Sequence, residues 1–484
     1  MIRLPARSYR LCLLTGSLLL VVACSRDYVA TYPYTVSALP PKAAAPGPTQ
    51  SVTYRRLFLV NDKVRVGIDL AMGGAISYLS EAGSKDNMVN NIDLGRQVQT
   101  SLYGGPYPYS VNGKQPVYEW RNLGWNPVQT GDYYNHPSQV LTYTQTGNGI
   151  YVKSIPKIWP LFDQPAECVM EHWYELSGNT IRVRSRTTIN RPDTTQYEGR
   201  TQEAPCVYLN GPYYRFVTYT GTQPFTNGPV SESTNRDYVT HTGTENWFAL
   251  LNADGRGVGL YKPGEVRFST MGFGATGYFG TEYDAASGYM NAGSHQVLDY
   301  NGQYEFSYTL VLGSLADIRQ FVNGQTPPAL GPTYRFNTDV KDGRQSWYYF
   351  NTTDTDWPIR GELAVRWARI DPIRDFYILS PYVMWRAADV PKIYLRAAFQ
   401  TRAQSARFNW RSPAEAEFYV YGAYHHLDFP VINDGQYHTY ELDLGKIGDW
   451  RGIIEQICLS ATPGPDQSEP GGLVRIQSVT MTPP

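Results

Sequence analysis

The stretch Glu167-Cys-Val-Met-Glu-His-Trp-Tyr-Glu-Leu-Ser-Gly-Asn-Thr-Ile-Arg-Val-Arg-Ser-Arg186 sets the class of fold. Ser177-Gly178-Asn179 has the composition of a tight turn, and the residues on both sides alternate with a period of two, the mark of paired strands. Glu167, Val169, Glu171, Trp173 and Glu175 share one face of the first strand, and Arg182, Arg184 and Arg186 share a face of the second. Placing Glu175 opposite Arg182 sets Trp173 against Arg184 and Glu171 against Arg186, a ladder of carboxylates and guanidiniums around an indole. A carbohydrate cleft uses this mixture of hydroxyl partners and a flat ring. The alternative is a solvated outer face, whose ion pairs are each worth a fraction of a kcal/mol.

Short alternating runs broken by Gly, Asn and Asp recur along the chain, as at Val64, Val66 and Ile68. The composition agrees: 39 Tyr and 11 Trp against 17 Phe, with 44 Gly, 34 Pro and 18% charged residues in a length of 484. Such a chain is β-rich, turn-rich and secreted, and neither a helical bundle nor a disordered protein. With 42 Lys+Arg against 43 Asp+Glu there is no basic footprint, so nucleic acid is not an expected partner. One helix is expected, over 314–322. Ser314 caps it, Asp317 complements its dipole, and Leu315, Ile318 and Phe321 recur at three-residue spacing.

The N-terminus has the form of a signal. Arg3, Arg7 and Arg10 precede an uncharged run over 11–23 that is too short to span a bilayer. Val21-Val22-Ala23-Cys24 resembles the bacterial lipobox, which implies cleavage after residue 23 and lipidation of Cys24. Ser25 then favours the outer membrane over inner-membrane retention. No second segment of spanning length follows, so the lipid is the only expected anchor. Of the remaining cysteines, Cys168, Cys206 and Cys458 allow one disulfide at most, Cys168–Cys206 before the others, with two free thiols as the equal alternative. No CxxC occurs, which excludes a zinc ribbon.

The chain divides into a signal peptide (1–23), a Pro/Ala-rich tether (24–51), a first body (52–323), a linker (324–332) and a second body (333–484). Polar groups that suit a sugar gather in the first body. Asn91, Asp93, Arg96, Gln99 and Tyr103 lie on a Gly/Pro-rich loop, followed by Trp125, His136 and Trp159, and later by Glu203, Tyr208, Asn210, Glu245 and Trp247. Asp354 and Asp356 could hold a structural calcium through oxygen ligands; otherwise no cofactor is expected. Gly272-Phe-Gly274-Ala-Thr-Gly277 matches GxGxxG without the surrounding βαβ unit and reads as a loop. His425-His426 reads as an exposed strand end.

Four stretches carry a resemblance: GGAISYLSEAGSKDNMVNNIDLGRQVQTSLYGGPYPY (73–109), LGWNPVQTGDYYNH (123–136), IPKIWPLFDQPAECVMEHWYEL (155–176) and TENWFALLNADGRGVGLY (244–261). They resemble a group of secreted bacterial proteins similar to the galactose-mutarotase-like supersandwich of several carbohydrate-active enzymes. The resemblance implies an all-β fold over 55–322, a curved two-sheet supersandwich with its site on the concave face. It assigns no catalytic residue. The C-terminal runs Phe429-Pro-Val-Ile-Asn-Asp-Gly-Gln-Tyr-His-Thr-Tyr-Glu-Leu-Asp-Leu444, Trp450-Arg-Gly-Ile453 and Gly472-Leu-Val-Arg-Ile-Gln-Ser-Val479 resemble a galactose-binding-like jelly roll. This second module implies a smaller β-jelly-roll domain of carbohydrate-binding type.

The resulting expectation is a lipid-anchored envelope protein that acts on a polysaccharide or oligosaccharide, foremost as a glycoside hydrolase with paired carboxylates. Glu171 opposite Arg186 is the expected base. Glu203 or Glu245, near Tyr208 and Trp247, is the expected acid, with Glu167 and Asp93 as substitutes. Trp173, Arg184 and Arg186 join the loop residues as substrate contacts. A polysaccharide lyase would instead use Tyr103 or His136 as base and Arg96 or Asn91 to neutralise a uronate. A non-catalytic glycan-binding lipoprotein is the third class.

Overall fold

The computed structural model describes residues 56–484 except 275–278, 337–342, 356–358, 368, 372–373, 416, 419–424 and 463–471. The signal, Cys24, the tether, Asp356 and Gly277 lie outside the described residues. The described chain is all-β apart from one α-helix and short 3-10 turns. Two antiparallel sheets face each other in the first body. One has nine strands, running Ser231–Ser233, Arg215–Thr218, Trp247–Leu251, Arg256–Tyr261, Gln303–Ser314, Thr180–Ile189, Cys168–Ser177, Gly149–Ile155 and Gln139–Thr146 from edge to edge. The other has seven: Val239–Thr242, Arg267–Phe273, Ser287–Ala292, Glu203–Asn210, Gln99–Ser101, Pro127–Val128 and Lys157–Ile158. A three-stranded sheet over Arg56–Val60, Val64–Asp69 and Ala75–Glu81 joins the second through an Ile76–Val98 bridge.

Period-two alternation builds the core between these sheets. Met170, Leu176, Ile181, Val183 and Leu250 come from one sheet, and Val207, Leu209, Phe268 and Met290 from the other, in one buried cluster. The 167–186 hairpin has the expected register, with Glu175 against Arg182, Trp173 against Arg184 and Glu171 against Arg186. Its core-facing side is Cys168, Met170, His172, Tyr174 and Leu176, so the charged side looks outward from the sandwich.

The expected Glu–Arg pairing across the hairpin does not form. Arg186 Nε donates to Glu305 Oε2 at 2.7 Å and Arg184 Nη1 to Glu305 Oε1 at 3.3 Å, while Glu171 accepts the Tyr151 hydroxyl at 2.6 Å. Each inner strand has two neighbours, and Glu305 sits directly opposite Arg186 on the other one. The indole does meet its cations, with the Arg184 guanidinium 3.7 Å from the Trp173 ring centre.

The helix is Leu315–Asn323, with Ser314 and Asp317 closing a capping box. Ile318 and Val322 are its buried residues, packed on Trp247 and Val311 on the outer side of the nine-stranded sheet. Leu315 and Phe321 are only partly buried, because a helix repeats at 3.6 residues and not at three.

The second body is a sandwich of two five-stranded antiparallel sheets around its own core, which includes Phe336, Phe399, Trp410 and Ile457. Its joint with the first body is partly apolar, with Val297 of the first body buried in the second body's core and His295 packed on Tyr348 at 4.1 Å, and partly ionic. Arg344, 2% exposed, pairs with Asp299 of the first body and with Asp354 of the second. Gln196 Nε2 donates to Asp354 Oδ2 at 3.0 Å across the same boundary. Asp354 is therefore committed to Arg344, Tyr349 and Gln196. Cys168 and Cys206 are buried free thiols on strands of different sheets, as is Cys458 in the second body. The Cys168–Cys206 pairing is corrected accordingly: Cys168 packs in the core between the sheets, whereas the Cys206 thiol is taken up by the Gln99 carbonyl at 3.5 Å. His425 opens the His425–Pro430 strand, and His426 is exposed.

Candidate functional site

The face of the seven-stranded sheet turned away from the core is polar. On Ser287–Ala292, Met290 points into the core, which turns Tyr289 and Asn291 to the other side. On Glu203–Asn210, Val207 and Leu209 point inward and Tyr208 and Asn210 outward. Strict alternation would put Glu203 inward with Val207. A register shift between Glu203 and Cys206 breaks that phase and re-aims the carboxylate onto the polar face.

There Glu203 Oε1 accepts the Tyr289 hydroxyl at 2.5 Å. Asn291 Nδ2 donates to Tyr289 Oη at 2.6 Å, Asn291 Oδ1 accepts the Ser269 amide at 3.2 Å, and the Tyr238 hydroxyl donates to Ser269 Oγ at 3.0 Å. Glu203 is 7% exposed, Tyr289 2% and Asn291 3%, so this chain of bonds is what makes their burial tolerable. Burial pushes the Tyr238 pKa up, and the nearby Glu203 charge pushes it further.

Aromatic rings extend the face on both sides. The Tyr208 ring centre lies 4.7 Å from Tyr289 and 5.6 Å from Phe273, and Arg96 covers Phe273 at 5.1 Å. Arg96 is tied to Asp93 at 3.4 Å and to the Ala285 carbonyl at 2.7 Å. Gln99 Nε2 donates to the Gly95 carbonyl at 2.7 Å, which holds this loop on the sheet. A Cβ at Gly95 would lie 2.8 Å from the Trp159 ring, so only glycine lets the indole close on the loop. Trp159 in turn meets Tyr133 at 5.9 Å and Trp120 at 6.4 Å. Next to them His136 packs on Phe162 at 4.4 Å, with Nδ1 2.8 Å from Asp132. Burial raises the Asp132 pKa, against bonds from the His136 and Asp163 amides.

Of the five expected carboxylates, the fold brings Glu203 and Asp93 to this face. Arg96, Gln99, Tyr208 and Trp159 join them, with His136 in the adjoining aromatic patch. Tyr103 continues the outward series of Gln99 and Ser101; its amide is bonded to Gln202 and its ring faces Arg200 at 5.6 Å. Asn91 and Asn210 staple loops instead, Asn91 to Ser77 and Glu282, and Asn210 to the Asn87 carbonyl.

The others go elsewhere. Glu171, Trp173, Arg184 and Arg186 occupy the outer side of the nine-stranded sheet. Glu245 is buried beneath the helix, accepting the Trp247 indole at 2.9 Å and the Phe225 amide at 2.8 Å, so it and Trp247 serve a local core. Glu167 accepts the Trp125 indole at 2.9 Å and the Tyr109 hydroxyl at 2.6 Å, which fixes Trp125 in the main core. Tyr289, Asn291, Ser269 and Tyr238 escaped the sequence reading. The alternation in Ser287-Gly-Tyr-Met-Asn-Ala292 was the signal that could have found them. Among the described residues no group of three or more His, Cys, Asp or Glu could hold a metal ion.

No protein-family model matches the chain, nor does any curated protein. Among solved structures, the galactose mutarotase related enzyme from Lactobacillus acidophilus aligns at 11% identity and a TM-score of 0.36, over 54% of this chain and 98% of that one. An aldose 1-epimerase, described as putative, from Escherichia coli K12 aligns at 10% and 0.34, over 54% and 99%. The 4-alpha-glucanotransferase from Thermococcus litoralis aligns at 11% and 0.30, over 54% and 38%. Scores this low assign neither a residue nor a reaction, and the architecture rests on the strand order above.

Proposed function

We propose that the polar face of the seven-stranded sheet binds a glycan chain and that the protein is a glycoside hydrolase. The observation that supports this is the buried chain Glu203–Tyr289–Asn291–Ser269, flanked by Tyr208 and Phe273 on one side and by the Trp159–Tyr133–Trp120 patch on the other. Sugars offer hydroxyl rims and apolar ring faces, and this surface offers a partner for each. Glu203, beside the Tyr289 hydroxyl, takes the part of the acid that protonates the leaving oxygen. Asp93, the carboxylate tied to Arg96, takes the part of base or nucleophile. Lipidation at Cys24 would hold this activity at the cell envelope, with the outer membrane favoured.

The test is a polysaccharide-panel digestion by the wild-type protein beside Glu203→Gln, Asp93→Asn and Glu171→Gln. Each folded variant of Glu203 and Asp93 is expected to form reducing ends at least about 100-fold more slowly, whereas Glu171→Gln, on the outer side of the other sheet, keeps the wild-type rate. A wild-type rate in folded Glu203→Gln would sink the assignment. Products with a conjugated double bond, seen in the near ultraviolet, would replace the hydrolase by a lyase.

A further inference from the structure

A cavity of about 420 Å³ lies where the two bodies and their linker meet, apart from the polar face. Its volume is in the range of small-molecule sites. One wall carries Lys262, Glu265 and Ser294. Lys262 and Glu265 are 5% and 6% exposed, and Lys262 Nζ stands 3.5 Å from Glu265 Oε2. Ser294 joins them, accepting from Lys262 and donating to Glu265. Glu265 Oε1 takes the Val266 and Arg267 amides at 3.1 and 3.0 Å, which fixes the carboxylate in place.

A buried Lys–Glu pair adds little stability over apolar groups of the same volume, so its position on a cavity wall points to recognition. The pair cancels its own charge and therefore favours neither an anion nor a cation. What the trio leaves unspent is the third hydrogen of the Lys262 ammonium and one lone pair on Ser294 Oγ, a donor beside an acceptor, the set that meets neighbouring sugar hydroxyls. The Phe306 ring lies 5.2 Å from the ammonium, and Trp385 of the second body also lines the cavity. The Gln296–Ser346 bond, 2.8 Å across the boundary, holds the two bodies together at the cavity edge.

We infer that this interdomain cavity is a second ligand site, selective for a neutral saccharide of one or two rings. It stands on residues separate from the Glu203 face, so either reading can fail alone.

The experiment is a calorimetric and ligand-observed NMR titration of the full chain. Cellobiose, maltose, lactose and mannobiose serve as neutral probes, and a uronate disaccharide as the charged one. Ala329→Trp, on an exposed linker position lining the cavity, adds bulk without touching either core. It is expected to weaken a neutral probe at least tenfold, as is Ser294→Val, while Glu203→Gln leaves that binding unchanged. The inference is overturned if no neutral probe saturates. It also fails if Ala329→Trp binds like wild type, if the uronate is preferred, or if only Glu203→Gln abolishes binding.

Discussion

His172 is fully buried between the two sheets, with Nε2 3.2 Å from the Thr100 hydroxyl and 3.1 Å from that of Ser185. Burial pushes its pKa down to about 3, and pushes that of His295, where the two bodies meet, down to about 4. In the unfolded chain both take up a proton near pH 6.5, so between there and the folded values the unfolded state binds more protons. Stability is full above about pH 6.5 and falls as the pH drops toward 4, each imidazole contributing up to ~1.4 kcal/mol per pH unit. His172→Gln is expected to flatten this slope by about 1 kcal/mol per pH unit, measured as urea unfolding free energy from pH 7 to pH 4. An unchanged slope would mean that His172 accepts its proton inside the fold. At this scale the sequence was only partly legible. Glu203 was readable as a carboxylate close to Tyr208. Glu245 was readable beside Trp247, whose indole it accepts, but not as a buried group, since its second partner, the Phe225 amide, comes from a loop 20 residues earlier.

The hairpin shows what a strand pattern determines. Period two gave the register of Glu175, Trp173 and Glu171 against three arginines, but not which face looks inward. The apolar companions Cys168, Met170 and Leu176 on the opposite parity contained that answer. At Glu203-Ala-Pro-Cys206 alternation itself failed. A proline within a central strand was the warning that phase is lost there. Gly178 turns the hairpin at φ 55° with open space around it, so a side chain there costs backbone strain alone. Gly178→Val is expected to lower the unfolding free energy by about 1–2 kcal/mol without altering the polar face. Ser314→Ala removes the helix cap and is expected to cost about 1 kcal/mol. Denaturant midpoints at unchanged slope check both, and a change below a few tenths of a kcal/mol would refute either.

Across the whole molecule, the Pro-rich linker and the change of core mark two bodies, but their joint could not be read. Asp299 lies 45 residues before Arg344, and although Asp354 follows it by only ten, nothing local distinguishes the three from surface charges. Arg344→Met strands two buried carboxylates and is expected to cost about 3–5 kcal/mol. Calorimetry should show a single unfolding transition splitting in two, and one unshifted transition would show that the ion cluster does not couple the bodies. The three buried thiols have a use of their own. Cys168 lies in the nine-stranded sheet, Cys206 in the seven-stranded one and Cys458 in the second body. Burial raises the pKa of each, which slows alkylation until water arrives. Each layer thus carries its own timer, and the order in which an alkylating reagent marks the three would date the opening of each layer in turn.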